Sequence, residues 1–347
     1  MRIAILGAGS LGTVIGAYIS AGGLNVELID INQAHVDELN RSGAKIIGST
    51  CFTVPVKAIT LLKMSGTYDL VLLLTKQLDN DIALRELPPF INDKSIICSL
   101  QNGVPEDCVA AAVGRSRVIA GSVKFGATWI KPGVSELTTA YNYFKYSAFE
   151  IGELDGTVTE RIKAVKAVLD LVGGTVISDN LVGTKWTKLV INTSFSGLSA
   201  ALNCTFGDIL SNQASATCAV LIMDETIRTG MAKGVTLAAA EGFPIESLVL
   251  YNKGDIPERI KVLRRLLASS AMLKASMLQD LEKKQPTEID CINGIVSKYA
   301  KDVGIATPCN DLVIKLVKQA EKNKTVPKFR TNIKYIYKLL LNMGISI

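Results

Sequence analysis

The segment ILGAGSLG, residues 5–12, decides the fold that we expect for this chain. It supplies Gly7, Gly9 and Gly12 in GxGxxG order, directly after a strand-like apolar run and at the start of a helical pattern. In that context Gly7 allows a tight turn, Gly9 lets the backbone approach a pyrophosphate, and Gly12 lets the helix pack closely on the strand. The segment therefore predicts a Rossmann dinucleotide-binding domain.

The following residues indicate how such a cofactor would bind. N–H groups at the start of the helix, including those of Ser10 and Leu11, would bind phosphates, because a helix N-terminus carries partial positive charge. Asp30 ends the next strand-like run, where a carboxylate accepts hydrogen bonds from ribose hydroxyls and repels a 2′-phosphate. No arginine stands beside it. Asp30 therefore favours NAD(H) over NADP(H), although it would equally suit a simple cap on the helix of residues 32–42.

The first half of the chain alternates short apolar runs with helical patterns, which predicts a parallel sheet covered on both faces. The predicted strands are RIAILG (2–7), NVELID (25–30), YDLVLLLT (68–75), SIICSL (95–100) and RVIAGSVKFGATW (117–129). The predicted helices cover residues 11–22, 32–43 and 105–114, the second of them capped by Gly43.

From about residue 157 the strand signals fade and helical patterns take over. These patterns cover residues 157–172, 186–203, 212–234, 256–284, 287–303 and 310–323. The change puts a domain boundary near residues 175–185. We therefore expect an α/β chain with an N-terminal Rossmann domain (1–180) and an all-α C-terminal domain (181–323). Residues 324–347 would form a further amphipathic helix that packs on the body of the protein or on a partner chain, and the second case would allow a homodimer.

Composition narrows the class of protein. The 347 residues are 48% hydrophobic, and a net charge of +6 is spread along the chain without an aromatic-basic pattern, so we expect no nucleic-acid partner. The seven cysteines are scattered without a CxxC, and with a single histidine they predict buried thiols and no metal site. Glycines interrupt the N-terminal apolar run, and no run reaches the length of a membrane span. We expect a cytoplasmic protein without a signal peptide.

Two further polar signals follow predicted strands. Lys76 comes after the strand in LLLTKQ, and Asn102 follows the next strand in SLQNG. In open α/β sheets, ligands bind beyond the carboxyl ends of the strands. Each residue alone would be an ordinary loop residue, but together they predict a polar edge on the cofactor side.

The segment WTKLVINTSFSGLSAALN, residues 186–203, carries polar residues in an otherwise apolar helix. At about 100° per residue they fall within one quadrant: Lys188, Asn192, Ser196, Ser199 and Asn203. A solvated face is one interpretation, but such faces are usually rich in long charged side chains. Amides, hydroxyls and one ammonium are more typical of the lining of a pocket.

Dinucleotide binding beside a helical domain suggests hydride transfer to a carbonyl, which needs a proton donor and stabilisation of charge on oxygen. The only histidine, His35, lies in the helix after the ribose-binding strand, on the wrong side of the sheet. A lysine or tyrosine remains, and Lys188 heads the polar stripe. A nearby carboxylate would keep the lysine protonated.

Glu288 and Ser276 are the candidates on the later helices. Glu288 follows Thr287, which has the character of a helix N-cap, and its carboxylate could support Lys188. It could instead simply complement the helix dipole. Ser276, taken alone, would more readily be a surface serine.

In this order, the motifs resemble the ketopantoate reductase (2-dehydropantoate 2-reductase) family over roughly residues 1–322. The resemblance rests on GxGxxG, Lys76, QNG, WTKLVIN and the block SMLQDLEKKQPTEIDCINGIV (276–296). The most specific parts are WxKLxxN and the block from Ser276 to Gly294.

The resemblance implies roles for individual residues. Lys188 would be the general acid, and Glu288 would support it and the nicotinamide-ribose side. Asn192 and Ser276 would hold the substrate, Ser276 near its carboxylate. The implied site residues also include Lys76 and Asn102, at the junction of cofactor and substrate. Ser196, from the polar stripe, is a further candidate on the substrate side. NAD(P)H would deliver hydride to the C2 ketone of ketopantoate, and the product would be pantoate.

Three features depart from the family pattern. The family often has asparagines that grip the substrate where this chain has Ser196 and Phe206, and Asp30 departs from the common preference for NADPH. The tail beyond about residue 323 is also longer than usual. A reductase of another 2-oxo acid or of an imine is therefore an alternative, and a catalytically silent dinucleotide sensor is a third hypothesis.

Overall fold

A computed structural model of the chain describes residues 1–240 and 242–346. It divides into two compact units, Met1–Val182 and Gly183–Ile347. The first unit is built on a mostly parallel sheet and the second is helical, which confirms the predicted fold class.

The main sheet of the first unit has eight strands in the order β12-β11-β8-β7-β6-β1-β2-β5. These strands are β1 (Ile3–Leu6), β2 (Val26–Ile29), β5 (Lys57–Ile59), β6 (Leu70–Leu73), β7 (Ile96–Ser99), β8 (Val118–Val123), β11 (Phe149–Glu153) and β12 (Thr175–Ile177). All neighbours are parallel except β8 and β11. Counted in chain order, the six strands from β5 to β8 have the Rossmann order 3-2-1-4-5-6, so the strand order reverses between β1 and β6.

A second sheet in this unit has the order β4-β3-β10-β9, with β3 (Ala44–Gly48), β4 (Phe52–Val54), β9 (Ala127–Lys131) and β10 (Val134–Leu137). It joins two hairpins that are far apart in sequence through the parallel pair β3–β10. The prediction of a single strand over 117–129 is therefore wrong: the run divides into β8 and β9, which lie in different sheets. At the division Lys124 N–H bonds the Ala148 carbonyl and Gly126 N–H bonds Thr139 Oγ1, so tertiary contacts end the strand.

The helices of the first unit are α1 (Ser10–Ala21), α2 (Gln33–Ser42), α3 (Asn80–Glu86), α4 (Glu106–Val113), α5 (Tyr141–Tyr146) and α6 (Glu160–Leu169). α1 packs against β1 and β2 and also against all four strands of the second sheet, so it lies between the two sheets. Its side chains are accordingly buried on nearly all sides, and Tyr18 meets Phe52 edge to face at a centroid distance of 4.9 Å. Gly43 ends α2 with a φ of 78°, as predicted.

The second unit is a helical assembly around a long, largely buried helix, α10. Its helices are α7 (Leu181–Ile191), α8 (Gly197–Leu202), α9 (Phe206–Ser211), α10 (Gln213–Ala232), α11 (Ile256–Leu266), α12 (Ser276–Glu282), α13 (Ile289–Asp302), α14 (Pro308–Asn323) and α15 (Phe329–Asn342). The predicted helix over 256–284 is wrong in its middle, where the chain leaves the helix between α11 and α12. There the carbonyls of Ala271 and Leu273 accept hydrogen bonds from Gly207 and Phe206 N–H, so tertiary contacts override helix propensity.

The helix of the predicted C-terminal extension packs on its own unit. α15 buries Ile333, Ile336 and Leu340 and contacts α8, α10 and α14. Asn332 Nδ2 also donates to the Ala201 carbonyl at 2.8 Å. Ile347, the last residue of the predicted extension, lies outside the described residues. Among the described helices, none combines the length and the apolar character of a membrane span.

Candidate functional site

The glycine-rich turn after β1 has the geometry that its sequence predicts. Gly7 has a φ of 102°, and a methyl group added to it would lie 2.5 Å from Thr75 N at the end of β6. A methyl group on Gly12 would lie only 2.1 Å from the Gly7 carbonyl oxygen, whereas one on Gly9 would meet no atom within 4 Å. Two glycines are therefore required by packing inside the protein, and Gly9 alone faces open space.

This open space lies at the N-terminus of α1, a helix of 12 residues with Gly9 at its N-cap. The first N–H groups of a helix have no carbonyl partner within it, and they attract anions. Ser10 and Leu11, in that first turn, are both half-buried. The turn therefore fits a dinucleotide pyrophosphate: it offers donors, positive potential and room at Gly9.

Asp30 lies directly beyond β2, half-buried. Its Oδ1 accepts a hydrogen bond from Asn32 N–H at 2.9 Å. The N-cap of α2 is Asn32, whose side chain accepts from His35 N–H, so capping of this helix is not the task of Asp30. An ionised carboxylate has about four acceptor sites, and Asp30 therefore keeps the capacity to bind two ribose hydroxyls.

His35 is buried and lies against the glycine-rich turn. Its Nε2 lies 2.8 Å from the Ala8 carbonyl, and its Nδ1 accepts a hydrogen bond from Gly133 N–H at 3.0 Å. A ring that accepts at Nδ1 and donates from Nε2 is the neutral tautomer. His35 thus joins the cofactor turn to the β9–β10 hairpin, a connection that sequence reasoning missed, and both ring nitrogens are committed to the backbone.

The loops after β6 and β7 are joined by side-chain amides. Gln101 Nε2 donates to the Thr75 carbonyl at 2.8 Å and to Asn80 Oδ1 at 2.6 Å. Gln77 Nε2 donates to the Asn102 carbonyl at 2.6 Å. Together with the packing of Gly7 on Thr75, these bonds bring the loops after β1, β6 and β7 to one edge of the sheet. Lys76 and the Asn102 side chain are exposed at this edge, as the sequence predicts.

In the second unit, the predicted polar helix contains a turn of π-helix over Asn192–Ser196, between α7 and α8. Turns of this kind, with i→i+5 bonds, occur frequently at functional sites. Lys188, Asn192 and Ser196 are all half-buried, while Thr193, Ser194 and Phe195 between them are buried. A π-turn rotates less per residue about the helix axis than an α-helix does. The position of Ser196 therefore comes back toward the side of the helix on which Lys188 lies.

Two residues of the predicted stripe do not belong to this face. Ser199 is buried: its Oγ donates to the Cys204 carbonyl at 2.6 Å and accepts from Ala275 N–H at 3.5 Å. Asn203 is exposed at the end of α8 with a φ of 53°, where it forms a left-handed C-cap. The extra residue in the wide turn changes the direction in which all later side chains of the helix point. The prediction assumed a constant rotation of about 100° per residue, so it placed Ser199 and Asn203 on the wrong face.

Ser276 and Glu288 occupy helix starts. Ser276 is exposed at the first position of α12, directly after the Ala275 that Ser199 anchors. Glu288 is half-buried at the N-cap of α13, one position later than the cap predicted at Thr287. The Thr287 hydroxyl still accepts a bond from Ile289 N–H and donates to Glu321. Among the described residues, no group of three or more potential metal ligands lies together.

Comparison with known proteins covers both units. Residues 3–154 match the family model described as ketopantoate reductase PanE/ApbA, and residues 180–321 match its C-terminal counterpart. A 2-dehydropantoate 2-reductase of Pyrococcus horikoshii is 30% identical over 322 residues, which cover 92% of this chain and 98% of that protein.

Solved structures share the fold. A PanE/ApbA family ketopantoate reductase from Ralstonia eutropha superposes with a TM-score of 0.79 at 24% identity, over 93% of this chain and 99% of the other. D-mandelate dehydrogenase with NADH and anilino(oxo)acetate gives 0.78 at 23% identity, over the same shares. The family matches confirm the resemblance seen in the motifs. The chain therefore belongs to the ketopantoate reductase family, as an oxidoreductase of the 2-dehydropantoate 2-reductase type with a Rossmann NAD(P)-binding fold.

Proposed function

We propose that this chain reduces 2-dehydropantoate (ketopantoate) to pantoate with NAD(P)H, and that Lys188 is the general acid. The observation that carries the proposal is the half-buried polar face of Lys188, Asn192 and Ser196, formed around a π-turn in a chain of this family. We assign cofactor binding to residues 1–180, the chemistry to residues 181–323, and no catalytic part to residues 324–347. The seven cysteines are present as thiols, which is in keeping with a cytoplasmic setting.

The cofactor would be held by the first unit. N–H groups of Gly9, Ser10 and Leu11 would bind its pyrophosphate, and Asp30 would accept hydrogen bonds from the adenosine ribose, which favours NADH over NADPH. Lys76 and Asn102 would border the nicotinamide end. When bound, the cofactor supplies the hydride for the C2 carbon of the substrate.

Lys188 would complete the reduction. As the carbonyl carbon gains a hydride, negative charge develops on its oxygen, and the ammonium can both stabilise that charge and give it a proton. A carboxylate at Glu288 would favour the charged form of the lysine and would also support the nicotinamide-ribose side. The Asn192 amide and the hydroxyls of Ser196 and Ser276 would bind the substrate, Ser276 near its carboxylate.

A second candidate within the same reaction class is a reductase of a different 2-oxo acid or an imine. Phe206 favours it, because it is buried against Phe195 at a ring-centroid distance of 5.3 Å, where the family often has a polar amide. Among proteins of the same fold, D-mandelate dehydrogenase has been solved with NADH and anilino(oxo)acetate rather than with ketopantoate. A dinucleotide sensor without turnover would not need Lys188, Asn192, Ser276 and Glu288.

Lys188→Ala tests the proposal directly. We expect kcat with ketopantoate to fall by about a hundredfold or more, because general acid catalysis contributes roughly 10²–10⁴-fold, while the Kd for NADH stays within about twofold of wild type. Lys185→Ala, one turn earlier on α7, is the matched control. Ketopantoate should be the best substrate in a panel of 2-oxo acids assayed with NADH and NADPH. Equal loss of cofactor binding in Lys188→Ala would remove the lysine from the chemistry, and slow turnover of every 2-oxo acid would favour the sensor or the imine reductase.

A further inference from the structure

The π-turn leaves one backbone carbonyl without its helical donor. In a regular α-helix the N–H of Gly197 would bond the Thr193 carbonyl, four residues earlier. Here Gly197 N–H bonds the Asn192 carbonyl instead. The Thr193 carbonyl is buried, and a buried acceptor without a partner costs about 1–3 kcal/mol. Asn293 of α13 resolves this, because its Nδ2 donates to the Thr193 carbonyl at 3.0 Å.

The Asn293 amide is held from behind by a buried polar chain. Its Nδ2 also donates to Asn310 Oδ1 at 2.9 Å, and Asn310 Nδ2 donates to Glu225 Oε2 at 2.7 Å. Glu225 in turn accepts the backbone N–H groups of Cys309 and Asn310, in the first turn of α14. These bonds fix which end of each amide donates. The Asn293 amino group therefore donates both to the Thr193 carbonyl and to Asn310, so the chain connects the wide turn to the Glu225 carboxylate.

The packing around Asn293 places its amide against the wide turn. A methyl group added to Gly197 would lie 2.6 Å from Asn293 Oδ1, so the amide sits directly against the end of the turn. That Oδ1 is one of the buried side-chain atoms without a hydrogen-bond partner among the described residues. An apolar side chain would fill the same space without this penalty. What an apolar side chain could not do is donate to Thr193.

We propose that Asn293 is a positioning residue: it stabilises the wide turn Asn192–Ser196 and thereby sets the Asn192 amide and the Ser196 hydroxyl in line with Lys188. Asn293 does not touch the reacting atoms. The inference rests on the proposed function in one respect only, namely that this helix face binds the substrate.

Asn293→Ala is the first test, with Ser297→Ala as the matched control. Ser297 lies one turn further along α13, is also buried, and donates to Asp311 at 2.7 Å on α14 without reaching the wide turn. We expect Asn293→Ala to raise hydrogen exchange of the amides of residues 192–198 at least tenfold and the KM for ketopantoate at least tenfold. We expect a smaller change in kcat and a Kd for NADH within twofold of wild type. Ser297→Ala should lower thermal stability without either effect.

Asn293→Asp is the second test, and it keeps the shape of the side chain if the alanine variant does not fold. When it is ionised, an aspartate there has no proton to donate to the Thr193 carbonyl. When it is protonated, its carboxyl O–H can make that hydrogen bond. We expect its kcat/KM, taken as a ratio to wild type at each pH, to rise as the pH is lowered. Glu225, which faces it through Asn310, has a pKa raised to about 7 by burial, and its charge would favour protonation of the new acid.

The outcomes separate this inference from the proposed function. Unchanged exchange at residues 192–198 in both Asn293 variants would overturn the positioning role, and so would an equal change in Ser297→Ala. If the wild-type enzyme reduces no 2-oxo acid, the proposed function fails, whereas the exchange measurement still decides whether Asn293 holds the turn.

Discussion

Alanine substitutions at Gly9 and Gly12 should separate cofactor binding from folding, although both glycines belong to one motif. At Gly9 the added methyl group meets no protein atom within 4 Å, and φ is negative, at −61°. The expected loss of stability is about 1 kcal/mol, from the weaker N-cap. At Gly12 the methyl group would lie 2.1 Å from the Gly7 carbonyl oxygen. Such overpacking costs about 1–3 kcal/mol of unfolding free energy. We expect a loss at the upper end of this range, because the atom in the way belongs to the backbone and cannot rotate aside as a side chain could.

Thermal unfolding and cofactor titration measure the two effects. At roughly 2–4 °C per kcal/mol, Gly9→Ala should lower the Tm by about 2–4 °C and Gly12→Ala by about 6–12 °C. The direct effect on cofactor binding should instead be larger for Gly9→Ala than for Gly12→Ala, because the methyl group on Gly9 fills the space that a pyrophosphate would approach. We expect the Kd for NADH of folded Gly9→Ala to rise at least tenfold, about 1.4 kcal/mol. Fluorescence titration that gave Gly9→Ala the affinity of wild type would refute the assignment of this turn to the pyrophosphate.

Three other perturbations have definite expected results. Asp30→Arg should shift preference from NADH toward NADPH in steady-state kinetics; a wild-type enzyme that already prefers NADPH would contradict the role of Asp30. His35→Phe leaves the Gly133 N–H unpaired and removes one of the two donors to the Ala8 carbonyl, which keeps the Thr13 hydroxyl. It should therefore cost about 1–3 kcal/mol of unfolding free energy and weaken NADH binding; an unchanged Kd for NADH would contradict the role of His35. Burial raises the pKa of Glu225 to about 7, above the usual 4.5; its contribution to stability is therefore complete below about pH 4.5 and is lost as the pH rises to about 7. Melting curves of wild type and Glu225→Gln should thus diverge across that window, and parallel curves would contradict the raised pKa.

The parts of the fold that could be predicted are those whose signals are local. Strands β1, β2, β6 and β7 are continuous apolar runs, and the glycine spacing identifies the turn after β1. The second sheet could not be predicted in this way, because β3 and β10 are short and each acquires its partner from a distant part of the chain. The gap between α11 and α12 likewise depends on contacts with α9.

In the candidate site, too, the residues with a local sequence signal could be predicted, and those that depend on tertiary contacts could not. Lys188, Asn192 and Ser196 are visible at a spacing of four residues, but nothing in that spacing announces a π-turn, so Ser199 and Asn203 were expected on a face that they do not share. His35, Gln101 and the Asn293 chain act through buried tertiary contacts, which single-sequence patterns do not reveal. Asn293 did carry one signal: it is an amide on the mainly apolar face of α13.

The position of α1 between two sheets has a consequence for biosynthesis. The second sheet is completed only by β10, which ends at Leu137, about 115 residues after the end of α1. At about 5–20 residues per second, the ribosome needs roughly 6–23 s to make that segment. During this interval the outer side of α1 lacks the part of its cover that β9 and β10 supply, and the nascent chain has to keep a partly exposed apolar helix from aggregating. A fragment that stops after β8 would keep β3 and β4 but would lack β9 and β10 permanently, so part of α1 would stay uncovered and the fragment should be less soluble than the whole unit when it is expressed alone.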